Sequence, residues 1–149
     1  APRVRRAALA IPASLVAGAR PAIRSAVGLA WLLGAAPDIL ASVAPKSVTA
    51  PVAMAISEEL GGLPSLTAVL VIITGIFGAM LGPMVLNLVG VRDWSARGLA
   101  VGTASHGIGT ARALQVNDTA GAFSGLAMGL NAMATALMLP ILWALLFGA

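Results

Sequence analysis

Two long stretches without a charged side chain limit what this chain can become. Residues 60 to 91 form a run of 32 with no Asp, Glu, Lys or Arg, and residues 119 to 149 form another of 31. A helix needs ~20 predominantly apolar residues to cross a bilayer, so each run predicts one membrane span. The first is long enough to tilt, with Pro83 after Gly82 as a place to kink. The rest of the chain agrees: 59% of its 149 residues are hydrophobic and 9% charged, at a mean hydropathy of +0.98. Soluble domains are about a quarter charged. With so few polar side chains to cover a globule, the predicted class is an all-α, polytopic membrane helix bundle over residues 1–149. Its length allows roughly four or five spans.

Several functions are excluded at this level. There is no cysteine and one histidine, so neither disulfides nor a typical zinc site can form. The net charge of +4 does not indicate nucleic-acid binding, because the cations flank apolar segments instead of forming a face with aromatics. They serve as topology anchors. Gly107 and Gly109 fall short of a dinucleotide fingerprint, with Arg112 where its last glycine belongs. GAFSG around Ser124 is not a nucleophile elbow. No enzyme, cofactor or metal is expected.

In the first third, one long tilted helix and two helices with an interfacial break near Pro21 both fit, and one interrupted span is the preferred reading. Arg3, Arg5 and Arg6 precede apolar sequence that Arg20, Pro21 and Arg24 interrupt, too soon for a signal peptide. A short helix capped near Asp38 then breaks at APKS, and a second helix starts at Thr49 and Pro51. VRDWSARG, residues 91–98, reads as a polar loop with Trp94 at the interface, on the same side as the N-terminus by its arginines. Glycines four apart, at 78 and 82, 98 and 102, and 121, 125 and 129, predict close helix packing.

Two segments combine helix breakers with rare polar groups. APKSVTAP, residues 44–51, holds Lys46, Ser47 and Thr49 between prolines. GTASHGIGTARA, residues 102–113, holds Thr103, Ser105, His106, Thr110 and Arg112 among three glycines. Unwound backbone at membrane depth survives only when protein or water surrounds it, and transporters use such breaks to bind substrate at the midplane. A cation, hydroxyls and free backbone donors at a helix start suit a small carboxylate. The candidate ligands are therefore Lys46, Ser47, Thr49, Ser105, His106, Thr110 and Arg112, facing one another across a small-anion site. Plainer roles stand beside these. Lys46 can snorkel to a surface, Arg112 can be a loop charge, and His106 can be a packing group. Glu58 and Glu59 either carry a coupling proton or lie solvated at a boundary. Asn131, deep in the last span, either lines the site or bridges helices.

The strings APKSVTAPVAMAISEELGGLPSLTAVL, ARGLAVGTASHGIGTARAL and GAFSGLAMGLNAMATALMLP closely resemble the LrgB/CidB family of membrane proteins, over about residues 39 to 145. The resemblance implies the C-terminal part of a longer protein, about half of a repeat-built transporter, in a bacterial cell membrane. It also implies two functions. Bacterial members are described as antiholin-like or holin-like, acting with an LrgA/CidA-type membrane partner on murein hydrolase activity and lysis. Plant members are plastid glycolate/glycerate translocators, and bacterial relatives have been linked to pyruvate uptake. The two cation-bearing breaks favour the carrier of small monocarboxylates, with murein hydrolase regulation as the alternative. Expected partners are the carboxylate, the lipid bilayer, the LrgA/CidA-type protein and a second copy of the chain.

Overall fold

Prolines and short polar side chains set most of the helix boundaries. The computed structural model describes residues 2–148, with side-chain environments from residue 17 onward. Arg3, Arg5, Arg6 and the apolar stretch that follows them to residue 16 thus lie outside the described side chains. The elements are α1 (Pro2–Leu32), α2 (Pro37–Val43), α3 (Ala50–Glu59), α4 (Pro64–Leu88), α5 (Trp94–Val116) and α6 (Asp118–Phe147). Helices α2, α3 and α4 each carry proline in their first positions, where the missing N–H has no helical partner anyway. Helices α5 and α6 are capped by Asp93, accepting from Ala96 N at 2.9 Å, and Asn117, accepting from Ala120 N at 3.1 Å. Gly61 and Gly90 close the turns after α3 and α4 at φ of 77° and 75°, values that cost a residue with Cβ.

The two charge-free runs become α4 and α6, both long and apolar enough to cross a membrane. Only 11% of the most apolar window of α4 and 22% of that of α6 is buried. The core helix of a soluble protein would bury most of its apolar side chains; α4 instead turns Ile72, Ile73, Ile76, Phe77, Met80 and Met84 outward. Lipid is the solvent that suits such a face. Helix α1 is one continuous helix that runs through Pro21, without the expected interruption, and α4 likewise runs through Pro83.

Inside, α2, α3 and the turn between them pack on α4 and α6 through Leu40, Val48, Ile56, Val71, Leu139 and Trp143. A hydroxyl network locks that arrangement. Thr67 Oγ1 on α4 donates to Ser42 O at 3.0 Å and shares a 2.7 Å bond with Ser57 Oγ. Ser42 Oγ donates to Asp38 O and accepts from Leu63 N at 2.7 Å. Each buried hydroxyl is thereby satisfied by backbone or by another hydroxyl, which is what a water-free interior requires.

Helix α5 differs from a single crossing. His106 takes φ 40° and ψ −134°, a non-helical conformation between two helical arms, and the chain reverses there. Eight residues of straight helix advance ~12 Å, yet a Cβ on Gly109 would stand 2.9 Å from Val101 Cγ1. Trp94 and Val116, at the far ends of the two arms, line the same cavity. Helix α6 records the reversal as well. It meets the first arm in parallel, Gly98 against Ala120 and Gly102 against Ser124, and the second arm in antiparallel, Thr110 against Ser124 and Leu114 against Gly121. The second expected break is therefore the tip of a helical hairpin. VRDWSARG, expected as a loop, is already helical from Trp94.

The glycine spacings divide accordingly. Gly98 and Gly102 lie on the backbone of α6, Gly78 lies on Ser105, and Gly121 lies on Leu114. Gly129 meets nothing within 4 Å, so the expected packing face does not extend to it.

Candidate functional site

Both breaks point at the middle of α6. The first is the turn 44–49, between the last turn of α2 and Thr49, whose extended backbone caps α3 without a side-chain bond. The second is the reversal at His106. Between them stands Asn131, 2% exposed, thirteen residues or roughly 20 Å into α6. Its Nδ2 donates to Ser47 O at 3.2 Å and to Thr103 O at 3.3 Å. One carboxamide thus holds a carbonyl from each break, and of the two roles expected for Asn131 the structure shows the bridge.

A groove of about 590 Å³ opens beside this junction. Lys46 and Ser47 line it from the first break, and Ala96, Leu99, Ala100, Thr103 and Ala104 from the first arm of α5. Gly18 and Ala22 of α1 complete it, with Gly18 so close that a Cβ there would lie 3.1 Å from Thr103 Cγ2. Lys46 is half-buried and is the only charged residue among the described residues of the lining. The Thr103 hydroxyl donates to Leu99 O at 2.8 Å, which leaves its oxygen able to accept. One cation, two hydroxyls and a floor of small apolar side chains suit a small anion with a short apolar body.

The other expected ligands are placed differently. His106 is buried against α4, with Nε2 2.9 Å from Val71 O. Thr110 Oγ1 donates to His106 O and pairs with Ser124 Oγ, each at 2.8 Å. Ser105, 1% exposed, packs on Gly78. These three residues fasten the hairpin to α4 and α6. Glu58 and Glu59 lie exposed at the end of α3.

Arg112 does not face Lys46. It is exposed on the second arm of α5, in a groove with Trp94 and Arg97 whose residues do not overlap those around Lys46. The expectation of an Arg112–Lys46 pair across one site is corrected for this reason. A reversal at His106 carries residues further along the arm back toward the hairpin's base, where a straight helix start would have left them near the break.

The α1 contribution through Gly18 and Ala22, and the hydroxyls of Ser42, Ser57 and Thr67, were not anticipated. Small residues in apolar helices carry no sequence signal that separates a groove wall from ordinary packing. Among the described residues no group of His, Asp and Glu is arranged to hold a metal ion.

The fold and site define a membrane helix bundle built around two broken helical segments. The chain belongs to the LrgB-like family, whose model matches residues 1–145, a match that extends upstream of the stretch from residue 39 carrying the recognisable strings. An uncharacterized protein of Haemophilus influenzae is 40% identical over 119 residues, covering 80% of this chain and 52% of that protein. The holin-like protein CidB of Staphylococcus epidermidis is 40% identical over 111 residues, covering 74% and 48%. The uncharacterized protein YwbG of Bacillus subtilis is 36% identical over 141 residues, covering 95% and 63%. The chain thus spans about half the length of the curated relatives it matches. No solved structure matches it.

Proposed function

We propose that this chain forms part of a holin-like protein of the bacterial cell membrane, and that the path it contributes to is selective for small monocarboxylates. The holin-like part is supported by the name of the CidB relatives. It carries with it the control of murein hydrolase activity and lysis, together with an LrgA/CidA-type membrane partner. The selectivity rests on one observation. Two broken helical segments are joined by Asn131 in the middle of α6, next to a groove whose one cation among the described residues is Lys46.

In this reading Lys46 attracts the carboxylate, Ser47 and Thr103 supply hydroxyls, and the alanines fit a body the size of glycolate, glycerate or pyruvate. A non-selective lesion has no use for such a lining. Thr49 sits at the helix start behind the site. His106, Ser105 and Thr110 act through the hairpin's position, and the exposed end of α3 favours the boundary role for Glu58 and Glu59.

The test uses a full-length family protein containing this chain, reconstituted in liposomes. Saturable exchange of labelled glycolate or pyruvate is expected, with Lys46→Gln lowering it at least tenfold while an uncharged dye of similar size stays inside. Dye release as fast as carboxylate release, unaltered by Lys46→Gln, is the result that leaves the holin-like reading as a pore and removes the carrier.

A further inference from the structure

Arg112 and the groove it lines have no part in the proposed solute path, and their surroundings define a different ligand. Two contiguous hollows, of about 270 and 620 Å³, run along the α4–α5 seam and share Ala79, Pro83 and Arg112. Trp94 and Arg97 stand at their outer end, at the base of the α5 hairpin. Next to that base are Arg92 and Asp93 in the connection before α5 and Asp118 at the start of α6, the concentration of charge expected where the chain meets the membrane surface. Trp94 is 41% exposed there, as interfacial tryptophans are. From this base toward the hairpin tip the seam becomes apolar, with Met80 and Ile76 of α4 exposed one and two turns deeper than Pro83.

The polar groups along the seam are unevenly used. Arg97 is committed: it donates to Asn87 Oδ1 and Val91 O, each at 2.8 Å, and lies 5.4 Å from the Trp94 ring centroid. Arg112 is not. Its hydrogen bond to Gln115 Oε1 is 3.4 Å long and exposed, and among the described residues no acidic side chain lines either hollow. Pro83 lacks an N–H, so the Ala79 carbonyl one turn earlier loses its helical donor, and Ala79 lines both hollows. The seam therefore presents a loosely held guanidinium, a second cation nearby, and a backbone acceptor without its usual partner. Exposed apolar side chains of α4, Met80 and Ile76, continue from them toward the hairpin tip.

We propose that this seam is a binding site for an anionic glycerophospholipid with a hydroxylated headgroup, of the phosphatidylglycerol type. The phosphate lies against Arg112, in the positive potential that Arg97 adds, since guanidinium is suited to bidentate phosphate contact. A headgroup hydroxyl donates to Ala79 O. One acyl chain follows Met80 and Ile76 inward. Basic pockets between membrane helices recognise lipid headgroups by this chemistry. The site would tie the base of the α5 hairpin to α4 and fix the depth at which the hairpin enters the bilayer.

The experiment takes a full-length family protein containing this chain in nanodiscs of mixed phosphatidylglycerol and phosphatidylcholine, and counts retained lipid by native mass spectrometry. Preferential retention of phosphatidylglycerol is expected, reduced about fivefold by Arg112→Gln, restored in part by Arg112→Lys, and unaltered by Arg20→Gln as an exposed arginine elsewhere. Equal retention of the two lipids overturns the proposal. So does retention indifferent to Arg112→Gln, the outcome if another polypeptide segment fills the seam. Displacement by soluble glycerol 3-phosphate at the same concentration as lipid overturns it too, by assigning the site to a free phosphate ester. Unaltered thermal unfolding of Arg112→Gln in detergent separates loss of the ligand from loss of the fold.

Discussion

His106 Nε2 stands 2.9 Å from the carbonyl oxygen of Val71, and it reaches that oxygen because Gly75, one turn along α4, has no side chain. A carbonyl can only accept, so Nε2 carries the proton in this bond. A Cβ on Gly75 would lie 2.6 Å from His106 Cε1 and 2.9 Å from Ile108 Cδ1. The histidine therefore works as a peg that seats the tip of the α5 hairpin on α4.

Gly75→Ala is expected to push the ring off Val71 O and destabilise the protein by about 1–3 kcal/mol. Gly129→Ala, with nothing within 4 Å of the new Cβ, serves as the matched control and is expected to be neutral or to stabilise by up to ~1 kcal/mol, as alanine does in a helix interior. Reversible unfolding in mixed micelles measures both. Equal effects would mean that the His106 ring is not seated against Gly75.

At His106 itself the usual helix ranking should invert. Alanine in a helix interior is more stable than glycine by roughly 0.5–1 kcal/mol, but φ 40° with ψ −134° costs a residue with Cβ on the order of 1–3 kcal/mol. Both substitutions lose the bond to Val71, and only glycine relieves the backbone. His106→Gly is thus expected to be more stable than His106→Ala by about 1 kcal/mol in the same unfolding assay. The ordinary order, with alanine ahead, would mean that α5 runs straight through this position.

That reversal was also the main feature the sequence did not disclose. APKSVTAP was readable because two prolines and a capping threonine interrupt the chain chemically, and the turn and the start of α3 fall where those residues require. The charge-free runs were readable because lipid imposes length and polarity on a span. GTASHGIGTARA showed its glycines, but glycine marks a close approach, a bend or a turn alike. The choice among them depends on α4 and α6, which contact it from distant sequence. Arg112 was misplaced for the same reason, since its neighbours follow from the direction of the second arm. Ser42, Ser57 and Thr67 are ordinary residues in apolar helices until the fold brings them together.

The α5–α6 contact offers a graded test of the packing glycines. A Cβ on Gly102 would meet the backbone carbonyl of Ser124, with the carbonyl carbon and Cα both 2.8 Å away, whereas one on Gly125 meets only Thr110 Cγ2 at 3.9 Å. Backbone cannot swing aside as a side-chain end can, so Gly102→Ala must separate two helices. It should cost about 1–3 kcal/mol, while Gly125→Ala is expected to be neutral or to stabilise by up to ~1 kcal/mol. Thermal unfolding in detergent reads the difference, and a silent Gly102→Ala contradicts the close crossing.

Asn131 is the position where the two breaks stand or fall together. Its Nδ2 is the shared donor to Ser47 O and Thr103 O. Asn131→Leu removes it at similar volume, and an ionised Asn131→Asp sets a carboxylate against two carbonyl oxygens. Interhelical hydrogen bonds in membranes are worth about 0.6 kcal/mol each on average and up to ~1.7. Leucine should therefore cost roughly 1–3 kcal/mol and aspartate more. The diagnostic readout is amide hydrogen exchange in the native protein. Losing one donor shared by two breaks should raise exchange around residues 45–49 and around residues 104–108 in the same variant, with the hydroxyl-locked contact of Thr67 to Ser42 and Ser57 unaltered. Loosening of one break alone would show that the two tips are held independently, and Asn131 would then not couple them.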